Sequence, residues 1–214
     1  MGMLGWISAL ISGFISISAF ESNKAKLAVV FNTLCLGLLS LMLLLSIIGN
    51  QQDDWSVAPL WVLAGLAVSV VADIYRIQQK QAKACFSAFL VVQLFYSKAF
   101  WIQLTGPMIW WLPALLIAAS IVAFFLLLPQ IDTLIFPVTI MGMMLLQMTW
   151  ASGEVWITSP THASLLGFLG SLSFIVSAII LAIHDYRQPL RYGKTLIGGS
   201  YLLAQALIVT SVVI

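Results

Sequence analysis

The chain has 214 residues, of which 62% are hydrophobic and only 7% are charged, and its formal net charge is +2. Ordinary soluble domains carry about a quarter charged residues, so this composition excludes a soluble fold and indicates an integral membrane protein. The 9 Lys and Arg residues are scattered rather than clustered, which excludes a nucleic-acid-binding surface.

Eight apolar segments follow one another along the chain, separated by short polar clusters. Each has about 17 to 23 residues, the length at which a helix crosses the hydrocarbon core of a bilayer. Runs such as 41–45 lack the alternation of apolar and polar residues that marks barrel strands. The sequence therefore predicts one all-α membrane domain, a bundle of eight transmembrane helices at residues 4–20, 27–49, 56–75, 84–103, 110–128, 134–150, 163–183 and 195–214.

The connections between these segments differ in charge. The first, third and seventh contain the basic residues Lys24, Lys26, Arg76, Lys80, Lys83, Arg187, Arg191 and Lys194. The second and sixth contain no Lys or Arg and carry Asp53, Asp54, Glu154 and His162. Because Lys and Arg stay on the cytoplasmic side of a membrane, we expect the basic connections in the cytoplasm and both termini outside.

Asp73 is a carboxylate inside the third segment. An ionisable group at membrane depth costs about 2.5 to 3.5 kcal/mol on insertion scales, so it is expected to face the bundle interior and find a partner. The small residues of 64–72 would let a neighbouring helix approach and leave room for an inward carboxylate. The alternative is an aspartate at the membrane interface that pairs with Arg76, one turn further on. Position alone leaves both interpretations open.

The fourth and eighth segments each carry two strongly polar residues. Gln93 and Tyr96 are three residues apart, and Tyr201 lies four residues before Gln205. Each pair therefore lies on one helix face. Hydrogen bonding between helices is the default explanation, and a cavity shared by the two faces is the functional alternative. Lys98, two residues after Tyr96, points elsewhere and is expected to reach the headgroup region.

Metal and cofactor chemistry is not indicated by the sequence. His162 and His184 lie at segment ends on opposite sides of the membrane, so a histidine cluster for zinc is not expected. Cys35 and Cys85 have no metal-binding or disulfide spacing, and we assign them to packing. The chain also lacks a phosphate-binding glycine loop and a serine-nucleophile motif. We therefore expect a protein that works without a metal or cofactor.

Several short motifs occur in a fixed order from the second segment to the C-terminus. They are LAGL at 63–66 leading to Asp73, the stretch 89–100 containing Tyr96, GEVW at 153–156, FLG at 168–170 leading to Ser177, and YLLAQALI at 201–208. In their order and spacing they resemble the YhhN-like, lysoplasmalogenase family of eight-span membrane proteins. The joint order of the motifs carries the resemblance, because each motif alone is short.

The resemblance implies hydrolysis of the vinyl-ether bond of lysoplasmalogens, giving a fatty aldehyde and a glycerophospho-alcohol. A vinyl ether is protonated at carbon, and water then attacks the oxocarbenium ion, so a proton donor and a group that orients water are needed. The family pattern has one aspartate at the position of Asp73 and a second directly after a serine in the seventh span. In this chain the serine is Ser177 and the next residue is Ala178.

Two further positions depart from the family pattern, since a histidine of the family appears as Gln93 and a lysine as Asn32. On the resemblance, Asp73 and Tyr96 are the catalytic candidates. The candidates for positioning the substrate or water are Asn32, Gln93, Ser177, Tyr201 and Gln205. Asp185 is a weak candidate for the second carboxylate, because it lies seven residues past Ala178, about 10 Å along the helix.

The substrate implied by the resemblance is a membrane lipid, a lysophospholipid or similar amphiphile, that enters laterally from the bilayer. The first expectation is therefore a lysoplasmalogenase-like lipid hydrolase of the bacterial inner membrane. The three lost ionisable groups motivate an alternative, a protein that binds or transports a lipid or small amphiphile without chemistry. A purely structural membrane scaffold is the third interpretation. The sequence predicts no nucleic-acid partner and leaves the oligomeric state open.

Overall fold

The computed structural model describes residues 2–49, 57–78, 81–104, 106, 108–127, 135–186 and 190–214, and every regular element in them is an α-helix. The eight helices are α1 Gly2–Glu21, α2 Ala25–Gly49, α3 Ala58–Gln78, α4 Ala82–Trp101, α5 Trp111–Leu127, α6 Ile135–Thr158, α7 His162–Tyr186 and α8 Gly193–Val213. The predicted all-α bundle of eight helices is confirmed. Outside the described residues lie Asp53, Asp54, Lys80, Arg187 and the predicted span boundaries at 56, 128 and 134.

Six of the eight described helices, α1 to α4, α7 and α8, are long and apolar enough to cross a membrane. α5 contributes a shorter apolar stretch, Trp111–Val122. α6 continues past the predicted span end at Trp150 as far as Thr158. The polar Glu154 does not end this helix, because its side chain is buried and accepts a hydrogen bond from the connection between α4 and α5.

Seven of the described helices form a closed ring, and α5 lies outside it. Neighbours around the ring follow the order α1, α2, α3, α4, α6, α7 and α8, and α8 closes the ring against α1. α8 also contacts α2 and α3 across the ring, so one of its faces lies in the interior of the bundle. α5 packs principally against α6. Polar residues of α2, α3, α4 and α8 can therefore meet in one interior region.

One end of the bundle, called the basic end below, holds the α1–α2, α3–α4 and α7–α8 connections. The described Lys and Arg residues at this end are Lys24, Lys26, Arg76, Lys83, Arg191 and Lys194. Lys194 Nζ donates a hydrogen bond to Asn23 Oδ1 at 2.8 Å, which ties the start of α8 to the α1–α2 connection. Glu154 and His162 lie towards the opposite end.

Two glycines let helices approach closely near the interior polar residues. A Cβ added at Gly170 of α7 would lie 2.9 Å from Ile208 Cγ1 and 3.1 Å from the Ile208 backbone nitrogen on α8. A Cβ added at Gly65 of α3 would overlap the ring of Tyr96 on α4. Small residues at such crossings let membrane helices gain van der Waals contact. Gly65 thereby sets where the Tyr96 ring lies in the core.

Candidate functional site

The candidate site begins on one face of α3. Ser69, Asp73 and Arg76 are spaced by four and then three residues, which places them along one stripe of the helix. Ser69 is fully buried and Asp73 is 1% exposed. Arg76, in the last turn, keeps 16% of its side chain exposed. The stripe therefore runs from the core of the bundle towards the basic end.

The Asp73 carboxylate is held by two neighbours. Asn32 Nδ2, on α2, donates to Asp73 Oδ2 at 2.8 Å. Arg76 Nε donates to Asp73 Oδ1 at 3.1 Å, and the two residues form an ion pair. From the sequence, Asp73 either faces the bundle interior or pairs with Arg76. In the structure it does both. Asp73 is buried and paired at once, because the Arg76 side chain reaches back over the last turn of α3.

A second set of hydrogen bonds joins α4, α8 and α3. The Tyr96 hydroxyl donates to Gln205 Oε1. Gln205 Nε2 in turn donates to Ser69 Oγ at 3.1 Å. All three side chains are fully buried. Sequence reasoning missed Ser69, although its spacing of four residues before Asp73 places it on the same helix face.

Tyr201 of α8 connects these two sets. The Arg76 guanidinium carbon lies 5.2 Å from the centre of the Tyr201 ring, a cation–π distance. The same ring packs edge-on against Phe174 at 5.4 Å and Phe89 at 5.8 Å between ring centres. The Tyr201 hydroxyl lies beside Asp73 and Ser69 but makes no hydrogen bond of standard geometry within the described residues.

These residues are called the Asp73 cluster below. Its members are Asn32, Ser69, Asp73, Arg76, Tyr96, Tyr201 and Gln205. They come from α2, α3, α4 and α8, the helices that meet in the middle of the bundle. The cluster therefore unites most of the site residues that the sequence singled out.

Three other predicted site residues lie elsewhere. Gln93 Nε2 donates to Met141 Sδ at 3.1 Å, so this side chain faces α6 rather than α8. Ser177 Oγ donates to the Ile197 carbonyl at 3.0 Å and links α7 to α8. Asp185 is exposed in the last turn of α7. The structure thus separates Gln93 from its neighbour Tyr96 and does not bring Asp185 into the Asp73 cluster.

A large groove lies beside the Asp73 cluster, between α4, α5, α6 and α7. Its volume is about 1250 Å³, and its lining is mostly apolar. Arg76 and Asp185 line it towards the basic end, and Trp101 and Trp150 line it towards the opposite end. Ala178, which stands where the family pattern has its second aspartate, also lines this groove. Arg76 connects the groove to the cluster, since it lines one and hydrogen-bonds in the other.

A second cavity, of about 10 Å³, lies on the other side of Arg76. Asn32 and Arg76, the two partners of Asp73, both line it. Its lining is mostly apolar, and its volume is about the smallest that holds one water molecule. The geometry therefore leaves space for a single water next to the groups that hold the Asp73 carboxylate.

Glu154 is a second buried carboxylate, far along the chain from Asp73 and towards the opposite end. It is 2% exposed, and its Oε1 accepts a hydrogen bond from the Ile109 backbone nitrogen at 2.9 Å. Its Oε2 has no partner within the described residues. No three His, Cys, Asp or Glu side chains in the described part of the chain come together as a set of metal ligands.

Comparisons with known proteins agree with the membrane architecture. The model of the YhhN family matches residues 27–212 of the chain. Relatives named "Uncharacterized membrane protein YhhN" come from Escherichia coli O6:H1, Escherichia coli O157:H7 and Shigella flexneri. Each is 29% identical over 209 residues, which cover 96% of this chain and 97% of the relative. No solved structure matches the chain.

Proposed function

The chain belongs to the YhhN family, and we propose that it is a lysoplasmalogenase-like membrane hydrolase that cleaves the vinyl-ether bond of alkenyl lysophospholipids. The observation that carries the proposal is a buried carboxylate, Asp73, joined through Arg76 to a large apolar groove. An alkenyl chain that moves from the bilayer into such a groove stays in apolar surroundings, whereas a polar substrate would lose hydrogen bonds there. The groove therefore supports an amphiphilic substrate.

A single carboxyl group can both donate and accept the protons that this reaction requires. In its acid form, Asp73 donates a proton to the vinyl carbon that is not bonded to oxygen, which produces an oxocarbenium ion. The resulting carboxylate offsets that positive charge and accepts a proton from the attacking water. The hemiacetal so formed separates into a fatty aldehyde and a glycerophospho-alcohol. Asp73 is then protonated again, and one water has been consumed.

The neighbours of Asp73 have distinct roles in this proposal. Asn32 and Arg76 orient the carboxylate and line the cavity that has room for one water. The buried Tyr201 hydroxyl lies beside Asp73, and we assign it to holding the carboxyl group in place. Tyr96 is already engaged by Gln205, so we assign both a positioning role that holds α4 against α8.

A second candidate function is binding of the same class of amphiphile without hydrolysis. The observation that favours it is Ala178, which lines the groove at the position where the family pattern has a second aspartate. A chain that kept the groove but lost one carboxylate would retain the lipid and lose the reaction. This alternative and the hydrolase share one ligand and differ in whether a product forms.

Aldehyde release from an alkenyl lysophospholipid separates the two candidates. The hydrolase proposal expects aldehyde from the purified wild type and a loss of about 100-fold or more in Asp73→Asn, because general acid–base groups contribute about 10² to 10⁴ in rate. Equal release by the two proteins would refute it. Release from Ala178→Asp but not from the wild type would favour the binding function. Asp73→Ala serves as a second variant that lacks the carboxyl group.

The proposed location is the bacterial inner membrane, with the basic end in the cytoplasm. The charge of the connections supports this orientation, because Lys and Arg are retained on the cytoplasmic side. The orientation also places both termini outside. A reporter enzyme that is active only outside the cytoplasm, fused after Ile214, should then be active. An inactive fusion at normal expression would contradict this orientation.

A further inference from the structure

Arg76 connects the groove to the small cavity beside Asn32. It lines the large groove on one side and the cavity of about 10 Å³ on the other. Its Nε is held by Asp73, and its guanidinium group rests on the Tyr201 ring at 5.2 Å. These contacts fix the plane of the guanidinium group while 16% of the side chain remains exposed.

The hydrogen-bonding capacity of Arg76 is only partly used. An arginine has five N–H donors in a planar fork, and Asp73 takes the one on Nε. Within the described residues, neither terminal nitrogen of Arg76 makes a hydrogen bond. The terminal nitrogens of an arginine match the oxygens of a phosphate group in a two-point contact. Arg76 therefore has unused phosphate-binding donors at the groove.

The groove has few charged lining residues and a long apolar lining. Arg76 is the single cationic residue among the described residues that line it, and Asp185 is the single anionic one. The groove follows α6 from Pro137 to Trp150, a distance of about 20 Å at 1.5 Å per residue. Such a length suits an alkyl chain rather than a headgroup. A phosphate at Arg76 would then place the chain of a single-chain phospholipid along the apolar lining.

We infer that Arg76 binds the phosphate group of a single-chain phospholipid lying in the groove, and that its Nε keeps Asp73 in place at the same time. Arg76 is thus a positioning and specificity residue, because its side chain binds the headgroup phosphate and also orients the Asp73 carboxylate. The inference rests on the site of the proposed function and concerns binding rather than the chemical step.

Cys85 offers a binding assay that does not depend on hydrolysis. Its thiol is half-buried and lines the groove close to Arg76, whereas Cys35 is 4% exposed and serves as an internal comparison. The rate of Cys85 alkylation by N-ethylmaleimide is measured in an uncharged detergent. The probes are an alkyl lysophospholipid, which has no vinyl ether, a 1-alkylglycerol of the same chain length and inorganic phosphate.

In the wild type, the alkyl lysophospholipid should protect Cys85 at a concentration about tenfold lower than the alkylglycerol, a difference of about 1.4 kcal/mol. Arg76→Gln should remove this preference. Arg76→Lys keeps the charge but has one ammonium group, which cannot serve Asp73 and a two-point phosphate contact together, so the preference should fall to about twofold. Lys83→Gln removes an exposed charge at the same end that does not line the groove, and should keep the full preference.

Three results would overturn the inference. The two lipids could protect Cys85 of the wild type at the same concentration, or neither lipid could protect it. Both Arg76 variants could retain the tenfold preference, which would assign phosphate recognition to another group. Inorganic phosphate alone could protect Cys85 as well as the lysophospholipid, which would indicate a free-phosphate site. Because the probe has no cleavable bond, a failure of aldehyde release would leave this binding result unchanged, and the two proposals can fail separately.

Discussion

The contact between Gly65 and Tyr96 allows the packing of the Asp73 cluster to be tested with one methyl group. Gly65→Ala adds a Cβ that would overlap the Tyr96 ring. Tyr96 is fully buried, so its ring can move only by disturbing its hydrogen bond to Gln205. The substitution should therefore displace α3 from α4 and break the hydrogen bonds that join α4, α8 and α3.

The expected cost follows from three contributions. Overpacking a core by a methyl group costs about 1 to 3 kcal/mol, and loss of a hydrogen bond adds about 1 kcal/mol. Replacing glycine by alanine within a helix stabilises the helix by about 0.5 to 1 kcal/mol, which offsets part of this cost. The free energy of unfolding should fall by about 1 to 3.5 kcal/mol, which lowers the melting temperature by about 2 to 14 °C in a chain of this size.

The measurement is thermal unfolding in detergent, followed by tryptophan fluorescence. Gly37→Ala is the matched control, because Gly37 lies within α2 and nothing would lie within 4 Å of its added Cβ. Its melting temperature should be unchanged or slightly higher. In a Tyr96→Ala background, Gly65→Ala should cost nothing further. The reasoning is refuted if Gly65→Ala behaves like Gly37→Ala, or if it costs the same with and without the Tyr96 ring.

Substitutions at three further positions test other contacts by the same measurement. Asn32→Leu removes a donor to the buried Asp73 carboxylate and should cost about 1 to 3 kcal/mol; unchanged melting would contradict that contact. Glu154→Gln keeps an oxygen that accepts from the Ile109 N–H, so the free energy of unfolding should hardly change. Glu154→Leu loses this acceptor and should cost about 1 to 3 kcal/mol. Equal effects of the two variants would argue against the hydrogen bond between Glu154 and Ile109. Ser177→Ala removes one interhelical hydrogen bond and should cost only about 0.6 kcal/mol, so a loss of several kcal/mol would show another role.

The eight helices and most of the Asp73 cluster could be predicted from the sequence for one physical reason. A bilayer leaves a backbone few choices besides the helix, and it makes a buried polar group costly enough to require a partner. Asp73, Tyr96 and Gln205 are conspicuous for this reason, and the structure shows each with a hydrogen-bonded partner. The rule states that partners exist, but it does not say which ones.

The rest depends on how the helices are rotated and packed. Gln93 and Tyr96 are about 60° apart around α4, and that angle is enough to direct one to α6 and the other to α8. Ser69 joined the cluster only because Gln205 on α8 lies opposite it. The groove arises from the position of α5 outside the ring, which no local pattern of residues encodes.

The peripheral position of α5 affects how a lipid could reach the groove. Because α5 packs principally against α6, shifting it outward would leave the contacts around the seven-helix ring in place. The backbone hydrogen bonds of a helix are internal, so the movement would expose no unpaired N–H or C=O group to the bilayer. The side chains that α5 uncovers would meet acyl chains as apolar as themselves. A membrane lipid could thus enter the groove laterally, between α5 and the seven-helix ring, and its acyl chain would never have to pass through water.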